Sequence, residues 1–393
     1  IEHLVRAAAM RSPAELEPRL RASLLSGAVQ LFFLDRIPDH ATIDRTVEWA
    51  KTQVRPGAAG ITNAVLRRLA GVRAGDGTRT RILRERWTDQ RDELPLASGA
   101  SLALSADALP SDPVDRWSVA SGVPRALVSR WADRYGQAAA RDLAMHAVAP
   151  APTVLNTVHA EAPLDGKVFE QHSQPGFLTF SGDRAFLSRL LVSRPDVWVQ
   201  DSASAEAVMA MSGLSLHRIV DVCAGRGTKT RQLLRTFPEA SIIASDTDPA
   251  RLAGLRAGLR GNGRASVVES RSLKEACAGL ADLALLDVPC SNTGVLARRP
   301  EARHRFGPEQ TDRLQRVQRS IFESALDLVR PGGWILYSTC SIEPEEDELM
   351  VDAAVARFGL RLERSGRTLP EGGLGAPACE YRDGSFWSLL GRP

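Results

Sequence analysis

The carboxyl-terminal half of the chain predicts an α/β fold built on a doubly wound, mostly parallel sheet. Three observations predict it. From about residue 197, apolar runs of strand length alternate with stretches of helical period. A glycine-bearing turn, Asp221–Thr230, joins the first of those runs to a helix. Two later runs, Leu283-Ala284-Leu285-Leu286 and Trp334-Ile335-Leu336, each lead into a short turn that carries a cysteine, Cys290 in one and Cys340 in the other.

Before that half, the pattern is helical. Leu20, Leu24, Leu25, Ala28, Leu31 and Phe32 recur at helical spacing, as do Ile43, Val47 and Ala50, then Ile61, Ala64, Val65 and Leu69. Pro38 and Pro56-Gly57 separate them. Arg67, Arg68 and Arg73 add positive charge at the end of the last helix, either as a solvated face or as an RNA contact. Residues 75 to about 112 read as a weak helix and a linker. Val114 to Ala149 is helical again until Pro150-Ala151-Pro152 breaks the pattern, and Thr153–Val158 suits a strand. Three regions are expected: 1–110, helical; 111–196, a linker and small middle region; and 197–393, the α/β domain.

Within the α/β region, strands are expected at Arg218–Val222, Ser241–Ser245, Ser266–Val268, Asp282–Asp287, Trp334–Ser338 and Phe386–Leu390. Helices are expected at Lys229–Thr236, Pro249–Leu259, Glu309–Val329 and Glu345–Phe358. Open sheets of this kind build their sites at the carboxyl ends of the strands.

The composition sets bounds. The 393 residues are 44% hydrophobic, enough for more than one core, and the net charge of +3 permits nucleic acid without requiring it. The basic residues are nearly all arginine, with lysine only at 51, 167, 229 and 274, which suits phosphate contacts and equally suits a GC-rich coding sequence. The five cysteines, an odd number with no preceding signal peptide, point to free thiols in a reducing cytoplasm. They lack zinc spacing and the histidines are scattered, so no metal is expected. No apolar run has the length of a membrane span. The chain opens at Ile1 without a Met, so further residues are expected before it.

The turn Asp221-Val222-Cys223-Ala224-Gly225-Arg226-Gly227-Thr228-Lys229-Thr230 is neither a dinucleotide fingerprint, since Thr230 occupies the third glycine position, nor a P-loop, since no glycine directly precedes Lys229. The next strand ends in Asp246, spaced to accept from ribose hydroxyls, while Asp248 suits a helix cap ahead of Pro249. A nucleoside ligand other than NAD on such a sheet is most simply S-adenosylmethionine.

A lone cysteine is usually a small buried apolar residue. Two at strand ends, in Asp287-Val288-Pro289-Cys290-Ser291-Asn292-Thr293-Gly294 and Tyr337-Ser338-Thr339-Cys340-Ser341, point instead to covalent chemistry. A thiolate that adds to carbon 6 of a pyrimidine makes carbon 5 nucleophilic, and a carboxyl such as Asp287 supports protonation at the ring-nitrogen edge.

Taken together, these residues resemble the Sun/Fmu-type RNA cytosine-5 methyltransferases, in particular the bacterial 16S ribosomal RNA enzymes with a fused NusB-like amino-terminal domain. The resemblance runs through Gln200-Asp201-Ser202-Ala203-Ser204, the Asp221–Thr230 turn, Ser245-Asp246-Thr247-Asp248 with Arg251-Leu252, Asp287–Val295, Gly332-Gly333, Thr339-Cys340-Ser341, Pro344-Glu345-Glu346 and Asp383-Gly384-Ser385-Phe386. In the helical part it rests on Leu34-Asp35-Arg36-Ile37-Pro38 and Asn63–Arg68. It implies a Rossmann-like methyltransferase sheet preceded by an all-α NusB-like domain. Cys340 is the implied nucleophile, with Cys290 assisting release, Asp287 in the base pocket, Lys229 reaching the target base and Pro289 shaping the pocket. Cys223, Ala224, Gly225, Gly227, Lys229, Asp246, Arg251 and Asp287 form the implied donor site for S-adenosylmethionine. The implied partner is 16S ribosomal RNA, met by a cytoplasmic monomer. The chain departs from the family pattern at Arg226 and Thr228, where proline and glycine are usual, and at Asn292, where a small residue is usual. The third-strand aspartate is also absent, with Glu269 as the nearest substitute. These departures motivate an alternative, an RNA-binding or ribosome-assembly module with weakened methyl transfer; a transfer-RNA methyltransferase is the other alternative.

Overall fold

The computed structural model describes residues 1–34, 36–73, 81–277 and 279–393. They form two compact units, Ile1–Ala149 and Pro150–Pro393.

The first unit opens with the α-helices Glu2–Ala9, Pro18–Phe33, Asp39–Gln53 and Ala58–Val72. They close on a core that includes Leu20, Leu24, Leu31, Phe32, Ile43, Val65, Leu66 and Leu69, most of them the residues whose spacing predicts the helices. In the motif around Pro38, Asp35 lies outside the described residues. The three arginines on and just after the last of these helices make bonds within the unit. Arg67 bonds Asn63 at 3.0 Å, Arg68 the Ala8 carbonyl at 2.9 Å, and Arg73 the Leu31 carbonyl at 2.9 Å and the Asp39 carboxylate.

The expected weak helix and linker after residue 75 is corrected. Residues 74–80 lie outside the described set, and from Leu83 the chain makes a three-stranded antiparallel sheet of Leu83–Arg84, Glu93–Pro95 and Ser101–Ala103. Strands of two or three residues are too short to show a period. The stretch 111–196 is shared between the units. Its helices Pro113–Ser121, Arg125–Tyr135 and Gln137–His146 belong to the first. Its strands Thr153–Asn156, Phe169–Gln171 and Phe177–Phe180 belong to the second, in a four-stranded antiparallel sheet completed by Trp198–Val199.

The main sheet of the second unit has seven strands: β1 Arg218–Asp221, β2 Ser241–Asp246, β3 Ala265–Glu269, β4 Ala281–Asp287, β5 Val329–Thr339, β6 Arg361–Thr368 and β7 Ser385–Gly391. Their order is β3-β2-β1-β4-β5-β7-β6, with β7 antiparallel to both its neighbours and the other pairs parallel. The helices are α1 Ser202–Met209, α2 Thr228–Thr236, α3 Pro249–Gly258, α4 Leu273–Cys277, α5 Pro308–Leu326 and α6 Glu348–Phe358.

Strand side chains alternate between two cores, as the pleat requires. Ile219, Leu283, Leu285, Leu336 and Leu389 meet α1 and α2 on one face. Val220, Ala284, Leu286, Ile335 and Tyr337 meet α5 and α6 on the other. With both faces covered, β4 reads as a nearly continuous apolar run. The edge strand β6, Arg-Leu-Glu-Arg-Ser-Gly-Arg-Thr, is largely exposed and charged, so hydrophobic patterning gives no sign of it. The helix expected to reach Val329 stops at Leu326, and β5 starts at Val329, ahead of Pro331-Gly332-Gly333. The chain winds outward through β1, β2 and β3, then returns to β4 on the other side of β1. The crevice at this reversal lies between the carboxyl ends of β1 and β4, where ligands bind in such sheets.

Candidate active site

At the end of β1 the turn 222–227 approaches β2. The Ala224 amide donates to the Ser245 carbonyl at 2.8 Å, and the Gly225 amide donates to Asp246 Oδ2 at 2.9 Å. Gly227 has φ 85°, and a Cβ there would lie 2.7 Å from Leu255 Cδ1, so only glycine lets α2 begin this close to α3. Asp246 is buried and also accepts from the Asp248 amide at 2.8 Å, leaving one lone pair on each oxygen for a ligand. Asp248 caps α3 through the Arg251 amide at 2.9 Å, which separates the two aspartates' roles. Arg251, largely exposed, reaches Asp246 at 3.9 Å. Glu269 ends β3 beside Asp246 in the register but pairs with the exposed Arg271 at 2.7 Å.

Beneath the turn, Asp221 is fully buried. Thr230 Oγ1 donates to its Oδ2 at 2.6 Å, and its Oδ1 has no partner among the described residues. Burial pushes its carboxyl up to about 7; the Thr230 hydrogen bond opposes the shift. Cys223, half-buried, has its thiol pushed up by burial and then by the charges of Asp221, Asp287 and Asp246. A glycine cradle, a carboxylate with spare lone pairs and an unpartnered buried oxygen all fit a nucleoside ligand that also carries positive charge, as S-adenosylmethionine does.

Two elements deliver the polar pair of the crevice. Lys229, in the first turn of α2, lies with its Nζ 2.8 Å from Asp287 Oδ1 and 3.3 Å from Ser204 Oγ. Asp287, at the end of β4, also accepts from Ser338 Oγ on β5 at 2.9 Å.

The two cysteine turns meet beside that pair, and Cys290 Sγ lies 3.2 Å from Cys340 Sγ. Cys290 is buried, Cys340 half-buried and Pro289 exposed. The Cys290 thiol is pushed well up, first by its hydrogen bond to Cys340 and then by burial, so it keeps its proton. Backbone bonds bring the turns together. The Gly294 amide donates to the Cys340 carbonyl at 3.0 Å, and the Gly384 amide donates to the Gly294 carbonyl at 2.7 Å.

Sequence reasoning missed what ties these turns. Glu346, fully buried, accepts from the Ser291 amide at 2.9 Å, from Ser341 Oγ at 2.7 Å, from Gln318 Nε2 at 3.1 Å and from Ser291 Oγ. The matching serines that follow the two cysteines were the available signal. Arg298 was missed as well. It bonds Asp383 at 2.5 Å, Asp201 at 3.2 Å and the Pro152 carbonyl at 2.8 Å, and it stacks on Tyr381. It thereby joins the Asp201 and Asp383 motifs, which are 182 residues apart in sequence.

The strand order, the glycine turn and the paired thiols define a Rossmann-like methyltransferase. The description "16S rRNA methyltransferase RsmB/F" matches residues 209–366, and the "NusB family" matches residues 1–71. The ribosomal RNA small subunit methyltransferase B of Vibrio cholerae is 30% identical over 379 residues, covering 94% of this chain and 80% of that protein. The probable ribosomal RNA small subunit methyltransferase B of Bacillus subtilis is 26% identical over 370 residues, covering 88% of this chain and 74% of its own. A solved methyltransferase homologue from Pyrococcus horikoshii shares the fold at a TM-score of 0.57 and 20% identity, over 72% of this chain and 100% of its own. The chain belongs to the RsmB/F methyltransferase family and uses S-adenosylmethionine. Among the described residues no His/Cys/Asp/Glu group is arranged to hold a metal ion, and no helix is long and apolar enough to cross a membrane.

Proposed function

We propose that this methyltransferase modifies carbon 5 of a cytosine in 16S ribosomal RNA, through a transient bond between Cys340 Sγ and carbon 6 of the ring. The observation that carries the reading is the pair of sulfurs 3.2 Å apart beside the Lys229–Asp287 ion pair. Cys340 attacks as the thiolate. Its electron pair forms the S–C6 bond, and the former C5=C6 pair makes carbon 5 nucleophilic. S-adenosylmethionine, when bound, supplies the electrophilic methyl group. Asp287 meets the ring-nitrogen edge and supports its protonation while charge builds there, and Lys229 orients Asp287 and reaches the base. Release needs the carbon 5 proton to pass to solvent, the double bond to re-form and the S–C6 bond to break. The protonated Cys290 thiol then donates to the departing Cys340 sulfur.

Gly225, Gly227 and Asp246, with Cys223, Ala224 and Arg251 around them, hold the donor in this reading. The target base is splayed out of folded RNA to reach the thiols. Residues 1–110, whose first part matches the NusB family, supply contacts to the RNA backbone, and residues 197–393 carry out the chemistry.

Bisulfite sequencing of ribosomal and transfer RNA, from cells with and without the gene, tests the substrate. Loss of one 16S cytosine mark is expected. A mark lost only from transfer RNA moves the substrate, and no lost mark favours a binding module. Cys340→Ala should abolish methyl transfer while leaving RNA binding near normal; retained transfer would place the nucleophile elsewhere. Cys290→Ala should trap a protein–RNA adduct on a denaturing gel, and normal turnover without adduct would remove its release role.

A further inference from the structure

On the outer side of α2, away from the crevice, the second unit has a cleft of about 260 Å3. It is lined by Arg231, Leu234 and Arg235 of α2, by Leu191 of the helix Arg184–Ser193, and by Asn262 and Arg264 beyond the end of α3. Arg231 and Arg235 are four residues apart and so share one face of α2. Lys229, two residues before Arg231, lies on the opposite side and reaches Asp287. The three guanidinium groups bring more positive charge than the cleft neutralises. Arg264 donates to the carbonyls of Leu234 at 2.8 Å, Phe237 at 3.1 Å and Ala240 at 3.2 Å, which closes the end of α2 but cancels no full charge. Arg235 meets one carboxylate, Glu161 at 3.5 Å, and that group is largely exposed, so water screens the pair. Arg231 is half-buried and has no ion pair or hydrogen bond among the described residues. Burial, and then the charge of Arg235, push Arg231 below the ordinary guanidinium value, and the same two causes push the neighbouring His159 down. A polar donor is also spare. Asn262 Oδ1 accepts from the Arg264 amide at 3.0 Å, so its NH2 end is left without a partner among the described residues. A half-buried cation without a counter-charge costs free energy that a bound anion recovers.

We propose that this cleft binds a backbone phosphate of the RNA substrate, with Arg231 making the direct contact and Arg235 and Asn262 beside it, at a nucleotide remote from the reacting base. An arginine presents paired N–H donors that fit the oxygens of a phosphate, and Arg231 is the guanidinium here with none of them engaged. A phosphate contact adds affinity and fixes register without reading sequence. The inference rests on RNA being the substrate and is independent of which cysteine attacks.

The test is filter binding of a labelled 16S ribosomal RNA transcript to the full chain, from about 50 to about 200 mM salt. Arg231→Gln keeps much of the side chain's bulk and removes its charge. It should weaken binding about tenfold at the low-salt end, the worth of a charged hydrogen bond. It should also make the plot of log affinity against log salt shallower by about 0.7, the share of one phosphate. Arg231→Lys keeps the charge but not the paired donors, so it should keep the parent's slope and lose part of the affinity. Arg357→Gln, on α6 across the sheet and already paired with Glu323 at 2.9 Å, should change neither quantity. Arg231→Gln should melt no lower than the parent, because it removes one of two crowded cations, and this separates lost binding from a lost fold. A glutamine variant that keeps the parent's affinity and slope, or loses affinity without a change of slope, would overturn the proposal. So would an equal fall of slope in Arg357→Gln. Inorganic phosphate that raises the parent's melting temperature, with RNA binding untouched by Arg231→Gln, would assign the cleft to a free anion instead. A parent that binds no RNA would sink the substrate reading itself and this inference with it.

Discussion

Replacing Glu346 by glutamine keeps the shape of the side chain and removes its charge at the point where the two cysteine turns are tied together. Oε1 accepts from the Ser291 amide at 2.9 Å and from Gln318 Nε2 at 3.1 Å. The Ser291 amide can only donate, and Gln318 Nε2 is held as a donor by its second bond to the Pro289 carbonyl at 2.9 Å, so the glutamine keeps its oxygen there. Its NH2 then falls at the Oε2 position, against Ser291 Oγ and Ser341 Oγ, which must rotate to accept from it. The charge assistance of these contacts is lost, at about 1 kcal/mol for each of the two serines, for a total of about 2 kcal/mol. Glu346→Ala costs more, about 2–6 kcal/mol before any cavity term, because the Ser291 amide and one Gln318 N–H lose their acceptor inside the protein. The hydroxyls partly recover through each other, with Ser291 and Ser341 3.1 Å apart and Thr293 and Ser341 3.2 Å apart. Because these turns also position the sulfurs, a displacement of about 1 Å should cost about a hundredfold in methyl transfer. Calorimetric melting of the full chain and a methyl-transfer rate on RNA together read both effects. A glutamine variant that melts and reacts like the parent would refute the reasoning, since it would mean that shape alone ties the turns.

Arg298→Met leaves Asp201 and Asp383 facing each other without their cation. Burial already pushes Asp201 up to about 6 and raises Asp383, so the variant should lose about 3–5 kcal/mol near neutral pH and less near pH 5, as read by urea unfolding at both. Asp221 gives a pH dependence of known sign. Its folded value of about 7 lies above the ordinary 3.8, so between those values the native state holds a proton that the unfolded chain has lost, and stability falls as pH rises through that window. The full effect is about 4 kcal/mol, and Asp221→Asn should flatten it; an unchanged slope in denaturant melts would place the titration elsewhere. Gly294→Ala puts a Cβ 2.8 Å from both the Cys340 and Gly384 carbonyl oxygens, so it should destabilise the second unit by about 1–3 kcal/mol and depress methyl transfer, and a variant equal to the parent in both assays would show that the turns separate freely.

What the sequence revealed and what it hid follow from how far each interaction reaches along the chain. The helices around Leu24, Leu31 and Leu69 are periodic over whole elements, the strands β1, β2 and β4 are apolar runs of strand length, and both kinds could be read directly. The cap by Asp248 and the ligand-facing role proposed for Asp246 are separable because each depends on residues a few positions away. Arg298 carries no local signal. It lies in a loop, and its partners Asp201 and Asp383 lie 97 and 85 residues away. Glu346 is similar, since it reaches back 55 residues to Ser291, and a glutamate in Pro-Glu-Glu is normally taken as exposed. Asn292 shows only as an unexpected residue type until the backbone places it in the left-handed region between the cysteines.

The meeting of the two sulfurs is a property of strand register before it is a property of either motif. β4 and β5 are adjacent and parallel, and Asp287 stands opposite Ser338, with a 2.9 Å hydrogen bond between their side chains. A slip of one residue would send every side chain of β5 to the opposite face, breaking that bond and moving Tyr337 out of its core. Register therefore holds the exits of both strands level. From that level the first turn carries the chain three residues to Cys290, and the second carries it two residues to Cys340. The difference is absorbed because the Gly294 amide folds back onto the Cys340 carbonyl, in a contact too close for any side chain at position 294. The sequence between the turns, including exposed positions of α5, can vary without moving the sulfurs, whereas insertion of one residue between Asp287 and Cys290 cannot. The paired cysteines are thus an output of the whole parallel core, which is why two short motifs fifty residues apart form one site.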